Sequence, residues 1–407
     1  MAGMDTIQTA EDLFKFLKSS GTRIVANIMF AGSPGHQVLE LDYFLRKYAG
    51  GDIPKDGKYL WVQRNGDITA TMAEVYGDHF RHYHLGMVAH DQLFELAVQV
   101  TRMVPELDVD VGLSHLKNSV LSRDHVHVGR FSNETYYMVT NEAVMRETVH
   151  YFKLRAITED FRPFRSAKPD LNGPLIDLLG GSANAERYAL VHIRQRPGNA
   201  GTVMPPENLF PSFEYLKDNG YTLIKAGTEP YPEQFSRYDV VNYTNSPLRN
   251  FKNDLTLLSN SKLNIINGSG FANLSDVMDT PVVDFGRWHL PIGPYSSKTV
   301  IVPALLYDPQ RQELLNFAEQ ILFFKTRQEI WEGQFFGWHF PIDRFVARVP
   351  QADELLAAVQ ESLAGTDAEV PLTPLQVRFN RLDENGLLSI LKSRISNFYL
   401  QRFENLL

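Results

Sequence analysis

The segment NDLTLLSNSKLNIINGSGFANLSDVMDTPVVDF, residues 253–285, shows how the chain folds. Residues 254–259 have the spacing of a helix end, and residues 262–266 form a short apolar run that is typical of a buried strand. Residues 271–278 return to helical spacing, and a second apolar run begins at Pro281. The pattern predicts a β-α-β unit in which an Asn-Gly-Ser-Gly turn joins the first strand to the helix.

The glycine turn of this unit has the chemistry of an anion site. Gly268 and Gly270 allow the backbone to approach a ligand closely, and Ser269 adds a hydroxyl. Free N–H groups at the start of the following helix, together with the helix dipole, favour a phosphate. The competing interpretation is an ordinary tight turn in which Ser269 caps the helix. Both interpretations stay open on this motif alone.

Composition limits the class of protein. A chain of 407 residues favours two domains, and a net charge of −8 disfavours broad nucleic-acid binding or a basic membrane patch. The absence of cysteine excludes disulfides, thiolate nucleophiles and zinc–thiolate sites. The N-terminal residues lack the pattern of a secretion signal, and no apolar run reaches spanning length. We therefore expect a soluble, cytoplasmic protein.

The first half of the chain repeats the strand–glycine loop–helix pattern. Residues 24–30 are mostly apolar and predict a buried parallel strand, which is followed by AGSPGHQ at residues 31–37. Ligands of open α/β sheets bind at the carboxyl ends of strands, so Gly35, His36 and Gln37 are candidate ligand contacts. The histidine is also a candidate acid/base group, unless it only bonds to backbone at the helix start.

Several histidines occur between residues 79 and 90. His82 and His84 would share one face of a strand and are therefore candidate metal ligands. Only Asp78 and Asp91 are nearby as a third ligand, so a solvated histidine face is the preferred interpretation. We predict no metal site.

Residues 155–174 are rich in charge, Pro and Gly and predict an inter-domain linker. We divide the chain into a first Rossmann-like domain at 1–165, a second at 166–345 and C-terminal helices at 346–407. Residues 383–406 are predicted as one of these helices, which we expect to brace the domains.

The second half opens with the predicted strand YALVHIR at residues 188–194. His192 and Arg194 are two residues apart and thus face the same side, where a buried strand is normally apolar. A ligand at the adjacent loop would supply their partners, and the guanidinium fork suits a diphosphate. The competing interpretation pairs Arg194 with Asp239 or Asp254. No G-x-G-x-x-G follows this strand, which argues against NAD chemistry.

The layout of two Rossmann-like halves, each with a glycine loop, resembles the GT-B glycosyltransferases. GHQVLELDYFLR at residues 35–46 is similar to the start of a large, poorly characterised bacterial family of these enzymes. VHIR at 191–194, followed by segments 213–227 and 253–283, resembles the second-domain signature of that family. Together these motifs cover most of the chain in the expected order.

A looser resemblance is to fucosyltransferases of the α1,2, α1,6 and protein-O types. GSPGHQ at residues 32–37 is similar to their G-x-x-G-N-Q motif, with His in place of Asn. HIR at 192–194 resembles their H-x-R motif, whose Arg contacts the donor diphosphate. QRP at 195–197 departs from the Asp-bearing continuation of that motif, so the resemblance does not extend to GDP-fucose as donor.

The resemblance implies two Rossmann-like domains that face a central cleft. It also implies metal-independent and cofactor-free sugar transfer from a nucleotide-sugar to a hydroxyl of a surface glycan, a lipid-linked glycan or a protein. His36 and Asp42 are the candidate catalytic bases, and residues 113–152 are a candidate acceptor wall. The alternatives are a nucleotide-sugar epimerase or hydrolase on the same fold, and a non-catalytic nucleotide- or glycan-binding scaffold. The predicted donor-binding residues are Gly35, Gln37, His192, Arg194, Lys225, Gly227, Glu229, Asp254, Ser269, Gly270, Asn273 and Ser275.

Overall fold

Two units, each with its own parallel sheet, make up the described chain. A computed structural model describes residues 7–26, 34–63, 65–103, 126–131, 134–139, 141–194, 203–290, 293–326, 341, 344–365, 370–383 and 386–407. The first unit ends at Ala167 and the second begins at Lys168, within the segment predicted as a linker.

The first unit combines helices with a small parallel sheet. Its strands are β1 (Thr22–Ala26), β2 (Lys58–Gln63), β3 (Leu85–Ala89), β4 (Val126–Phe131) and β5 (Glu134–Val139). Its helices are α1 (Ala10–Ser20), α2 (Pro34–Gly50), α3 (Asp67–Phe80), α4 (Asp91–Met103), α5 (Asn141–Ile157) and α6 (Pro163–Ser166). Strands β1, β2 and β3 form a parallel sheet in that order, and β4 and β5 form a separate antiparallel pair.

Helix α1 shows how local sequence sets these elements. The Thr9 hydroxyl accepts a hydrogen bond from the Asp12 N–H at 3.1 Å, and the two residues form a capping box that starts the helix. Gly21, with φ 66°, ends it in the left-handed region. Leu13 and Leu17 are one turn apart and buried in one hydrophobic core with residues of β2 and α4.

The second unit contains the larger sheet. Its main strands are β6 (Tyr188–His192), β7 (Thr222–Lys225), β8 (Val241–Asn242), β9 (Leu263–Asn267), β10 (Val282–Phe285) and β11 (Thr299–Val302), with β12 (Leu305–Asp308), β13 (Glu313–Leu314), β14 (Val346–Arg348) and β15 (Arg394–Ile395) after them. Its helices are α7 (Gly173–Leu178), α8 (Ser182–Ala185), α9 (Phe210–Asp218), α10 (Phe251–Asn260), α11 (Gly270–Val277), α12 (Phe317–Thr326), α13 (Ala352–Ala364), α14 (Pro374–Arg381) and α15 (Asn397–Arg402).

Seven strands form one parallel sheet in the order β15-β11-β10-β9-β6-β7-β8. The chain runs outward from β6 through β7 to β8, and then returns to the other side of β6 with β9, β10 and β11. This reversal defines a doubly wound sheet. The prediction of an α/β chain with two Rossmann-like parallel sheets is therefore confirmed. A small antiparallel sheet, β13-β12-β14, completes the unit.

The predicted long helix at residues 383–406 is wrong. This segment contains a 3₁₀ turn at Leu387–Ser389, the short strand β15, and only the six-residue helix α15. Its apolar residues have helical spacing, but β15 extends the sheet by pairing with β11. Tertiary pairing has thus overridden the local helical pattern.

The C-terminal elements are fixed by a buried carboxylate on α13. Glu354 is 0% exposed and accepts hydrogen bonds from both terminal nitrogens of Arg348 on β14. Arg402 of α15 donates to the same carboxylate at 2.9 Å. Helix α13 in turn packs on β9, β10, β11 and α9, so Glu354 connects the end of the chain to the main sheet.

We expect Glu354→Ala to lower the free energy of unfolding by about 3 kcal/mol, because it leaves two arginines without their shared anion. The cost stays near the low end for a buried ion pair, since Arg348 and Arg402 retain 22% and 37% side-chain exposure. Urea denaturation measures the change. Glu404→Ala is the control, because its exposed partner Arg378 is 4.0 Å away, and it should cost less than about 1 kcal/mol.

Candidate functional site

The carboxyl ends of β6 and β9 mark the candidate site. These two strands are neighbours at the point where the strand order reverses, and ligands of doubly wound sheets bind in the crevice at that point. His192 is the last residue of β6 and lies opposite Ile266 of β9. The glycine turn at residues 267–270 follows β9 directly. Topology therefore brings the two predicted motifs of the second half together.

The glycine turn leaves two backbone N–H groups available. The Gly268 N–H donates to the Asp284 carboxylate at 3.1 Å, and the Phe271 N–H donates to the Ser269 hydroxyl at 3.1 Å. The N–H groups of Ser269 and Gly270 have no acceptor within the described residues. They begin α11, where the helix dipole favours an anion. Ser269 is thus a helix cap, and anion binding by the turn stays a prediction.

His192 is a neutral hydrogen-bond acceptor. Its Nδ1 lies 3.3 Å from the carbonyl oxygen of Ala226, and because a carbonyl only accepts, Nδ1 carries the proton. Burial and the charge of Lys225 lower the pKa of His192 to about 3, which keeps the ring neutral. Nε2 is then an acceptor, suited to a hydroxyl rather than to a phosphate oxygen. The ring centre lies 4.6 Å from that of Phe271, in the first turn of α11.

Gly227 makes room for this histidine. Its φ of +89° lies in the left-handed region, and a Cβ at this position would lie 2.3 Å from Nδ1 of His192. Both the backbone conformation and the lack of space therefore require glycine here.

Arg194 lies two residues beyond the end of β6 and is half-buried. Its charge contributes to the lowered pKa of His192, so the guanidinium lies in the electrostatic environment of that ring. Asp239, a suggested partner of Arg194, pairs with Lys217 at 3.1 Å. Contact of Arg194 with a ligand phosphate stays a prediction.

Lys225 positions a loop instead of facing the anion. Its buried ammonium donates to the carbonyl oxygens of Ala226 and Glu229 at 2.9 and 3.1 Å and to the Thr244 hydroxyl at 3.4 Å. These contacts take up the three donors of the ammonium group, which corrects the prediction that Lys225 reaches the anion. Burial also lowers its pKa to about 8. The Glu229 side chain, predicted to contact the donor, is buried in the loop that Lys225 holds.

Asp254 is a buried carboxyl at the start of α10. It is 8% exposed, and its Oδ1 has no hydrogen-bond partner within the described residues. Burial raises its pKa to about 7, although Arg249, Tyr243 and Lys225 each oppose the shift. The predicted contact of Asp254 with the donor stays a prediction.

Two further predicted contacts lie on α11. Ser275 is 0% exposed, donates to the Phe271 carbonyl oxygen at 2.8 Å and accepts from Asn264 of β9 at 3.1 Å. It therefore attaches the helix to the sheet and does not face a ligand, which corrects its predicted role. Asn273 is half-buried on the same helix.

In the first unit, the predicted residues lie at the start of α2. Gly35 and Gln37 are buried. The side-chain Oε1 of Gln37 accepts a hydrogen bond from the side-chain Nε2 of Gln63, at the carboxyl end of β2. The side chain of His36 lies outside the described part of the structure, so its predicted role as base stays a prediction. Most side chains of residues 113–152 lie outside it as well.

Asp42 has a structural role. It is 0% exposed, and its Oδ2 accepts hydrogen bonds from Arg46 at 2.8 Å and from the Tyr151 hydroxyl at 2.7 Å. These contacts fasten α2 to α5. A carboxylate with two buried donors is poorly placed to remove a proton from a substrate, which corrects its predicted role as base.

The predicted histidine face also has a different geometry. His82 lies in a 3₁₀ turn and His84 has φ 55°, so no strand places them on one face. Within the described residues, no group of three or more His, Asp or Glu side chains is arranged to hold a metal ion. Among the described helices, none is both long and apolar enough to cross a membrane.

Sequence reasoning missed Asp284 and Arg287. Asp284 is 0% exposed on β10, and its Oδ1 accepts the Gly268 N–H while its Oδ2 accepts from Arg287 at 2.8 Å. The available signal was an acidic residue within the buried strand Val282–Phe285, whose other members are apolar. A buried carboxylate needs donors, and the glycine turn supplies one of them.

No protein-family model matches the chain, and no curated protein matches it. Among solved structures, a family 9 glycosyl transferase from Veillonella parvula is 12% identical, with 84% of this chain and 97% of that one covered at a TM-score of 0.46. E. coli heptosyltransferase WaaC with ADP-2-deoxy-2-fluoro heptose is 16% identical, with 69% and 92% covered at 0.37. A putative UDP-N-acetylglucosamine 2-epimerase from Listeria monocytogenes is 10% identical, with 87% and 99% covered at 0.33.

We expect Gly227→Ala to destabilise the protein by more than Gly220→Ala, as measured by urea denaturation. Both glycines have positive φ, +89° and +76°, so both variants carry a similar backbone strain of about 1–2 kcal/mol. Only the Cβ at position 227 meets His192, whereas position 220 has open space within 4 Å. Equal costs for the two variants would contradict the close approach of Gly227 to His192.

Asp254→Asn tests the raised pKa. Because the folded-state pKa is about 7 and the unfolded value is 3.8, the folded protein binds the proton more tightly. The stabilising contribution of this group is complete below about pH 4 and is lost as pH rises to 7, by at most about 1.4 kcal/mol per pH unit. We therefore expect Asp254→Asn to gain stability relative to the wild type between pH 4.5 and 7. A difference that stays constant in urea denaturation over this range would refute the protonated carboxyl.

Proposed function

We propose that this protein is a glycosyltransferase that moves a sugar from a nucleotide-sugar donor to a hydroxyl acceptor. The observation that supports the proposal is that three sets of groups lie at or just beyond the carboxyl ends of β6 and β9, where the strand order reverses. These are the two available N–H groups of Ser269 and Gly270, the neutral acceptor of His192, and the cationic Arg194 that follows it. They match a ligand that carries phosphate next to hydroxyl groups, as a nucleotide-sugar does.

The reaction requires stabilisation of the departing diphosphate. Backbone N–H groups at a helix start and an arginine are fixed positive groups that stabilise developing negative charge without rearrangement. In the proposal, Ser269 and Gly270 bind one phosphate and Arg194 adds charge-assisted hydrogen bonds. His192 accepts a hydrogen bond from a hydroxyl of the donor. Since these groups supply the positive charge, the proposed reaction uses no divalent ion and no cofactor.

The acceptor and its base belong to the first unit in this proposal. His36, at the start of α2, is the remaining candidate for the group that removes the acceptor proton, because Asp42 is held by Arg46 and Tyr151. The proposed acceptor is a hydroxyl of a bacterial surface glycan, a lipid-linked glycan or a protein.

Thermal unfolding with GDP, UDP, CDP, ADP and CMP, in the presence and absence of EDTA, tests the donor site. A ligand that binds only the folded protein stabilises it by about 2.7 kcal/mol at a concentration of 100 times Kd. We expect one nucleoside diphosphate to raise the midpoint, with no effect of EDTA. We expect Arg194→Ala to weaken this binding about 10- to 100-fold, the equivalent of losing hydrogen bonds to a charged group.

Arg187→Ala is the matched control for this experiment. Arg187 precedes the amino end of β6, where its guanidinium lies 4.6 Å from the ring centre of Tyr221, so it is remote from the carboxyl end. The control should bind nucleotide as the wild type does. No midpoint shift with any nucleotide would contradict the proposal. A bound nucleotide-sugar that is converted to its epimer or hydrolysed, with no sugar on any acceptor, would contradict the transfer step.

A further inference from the structure

The conformation of the anion site depends on a carboxylate from the neighbouring strand. Asp284 lies on β10, next to β9, and is fully buried. Its Oδ1 accepts the Gly268 N–H at 3.1 Å, so this one amide of the turn points into the protein. Gly268 adopts φ +33° at the same position. The next two N–H groups, of Ser269 and Gly270, then remain for a ligand.

A carboxylate beside an anion site would normally repel the ligand. Here, Arg287 donates through Nε to Oδ2 of Asp284 at 2.8 Å and offsets its charge. A terminal nitrogen of Arg287 lies 3.3 Å from Nε2 of His289, whose pKa burial holds well below its usual value. This histidine is therefore neutral and acts as an acceptor that fixes the guanidinium. The result is a rigid, nearly neutral support for the turn.

We infer that Asp284 is a positioning residue for the anion site, which sets the glycine turn in the shape that presents the Ser269 and Gly270 N–H groups to a phosphate. Asp284 does not touch the ligand and acts only through Gly268, with Arg287 as its counter-ion. The inference rests on the proposed function, because it needs a ligand phosphate at this turn.

Asp284→Asn separates positioning from simple electrostatics. Asparagine has one acceptor oxygen where the carboxylate has two, and the charged guanidinium of Arg287 competes for it. The NH₂ group is then turned toward the Gly268 N–H, so the turn loses the acceptor that sets its shape. If Asp284 were only a nearby negative charge, its removal would strengthen the binding of an anion. A positioning role predicts that the affinity for the anion falls instead. We expect a loss of about 10- to 100-fold, the scale expected when binding groups move by about 1 Å.

Asp276→Asn is the matched control. Asp276 lies on α11 itself, is 2% exposed, and accepts a hydrogen bond from the Ser296 N–H at 2.6 Å. It is nearly as buried as Asp284, and this hydrogen bond joins α11 to the segment before β11 rather than to the turn. Both variants should lose stability, whereas only Asp284→Asn should lose affinity for an anion.

Isothermal titration calorimetry of the full chain measures the binding of GDP, UDP, CDP and ADP, of their parent nucleosides and of inorganic pyrophosphate. We expect Asp284→Asn to lower the affinity for the nucleoside diphosphate that binds the wild type. If pyrophosphate binds the wild type, its affinity should fall as well, whereas any affinity for the nucleoside should be unchanged. Unchanged or tighter diphosphate binding would overturn the inference and leave the proposed function intact. An equal loss in Asp276→Asn would also overturn it. If no diphosphate binds the wild type, the proposed function fails first and the inference fails with it.

Discussion

The burial of β6 on both faces, between β9 and β7 in the parallel sheet, is the constraint on which the site depends. All of its residues are buried, so polar side chains are tolerated only at the carboxyl end, where the strand opens to the loops. His192 occupies that end of β6, and Lys225 and Asn267 occupy the ends of β7 and β9. The reversal of strand order brings these ends together, and every polar group there must find a partner in a loop or in a ligand.

Each buried charge near this edge is compensated in a different way. Lys225 has three acceptors from loops, and Asp284 has a cation and a backbone N–H. Asp254 lacks enough donors, and burial therefore raises its pKa to about 7. An isolated buried ion costs several kcal/mol, whereas each hydrogen bond to a charged group returns about 1.5–3 kcal/mol. These partners oppose the effect of burial, which lowers the pKa of Lys225 to about 8 and raises the pKa of Asp284, and they hold the loops in one conformation.

Sequence patterns were informative where a local signal coincided with the tertiary contact. The β9–turn–α11–β10 unit was predicted because apolar runs, two glycines and a cap follow each other directly. The prediction of a helix at residues 383–406 was wrong because the pairing of β15 with β11 overrides the helical spacing of the sequence. Asp42 was predicted as a base and Lys225 as a donor contact, and both side chains instead have buried hydrogen-bond partners within the protein. Their partners, Tyr151 and Thr244, are 109 and 19 residues away, and no spacing rule connects them.

His192 shows that the role of a motif residue depends on which protein group its side chain contacts, here the carbonyl oxygen of Ala226. From its position beside Arg194, the histidine would be expected to add charge for a diphosphate. The Ala226 carbonyl instead fixes the proton on Nδ1, and burial keeps the ring neutral. An acceptor beside two N–H donors and an arginine suits neither free phosphate nor an uncharged sugar alone. Under the proposed function, it suits a molecule that has a hydroxyl donor at a fixed distance from its phosphate, and the selectivity of the site would come from pairing these opposite hydrogen-bonding groups.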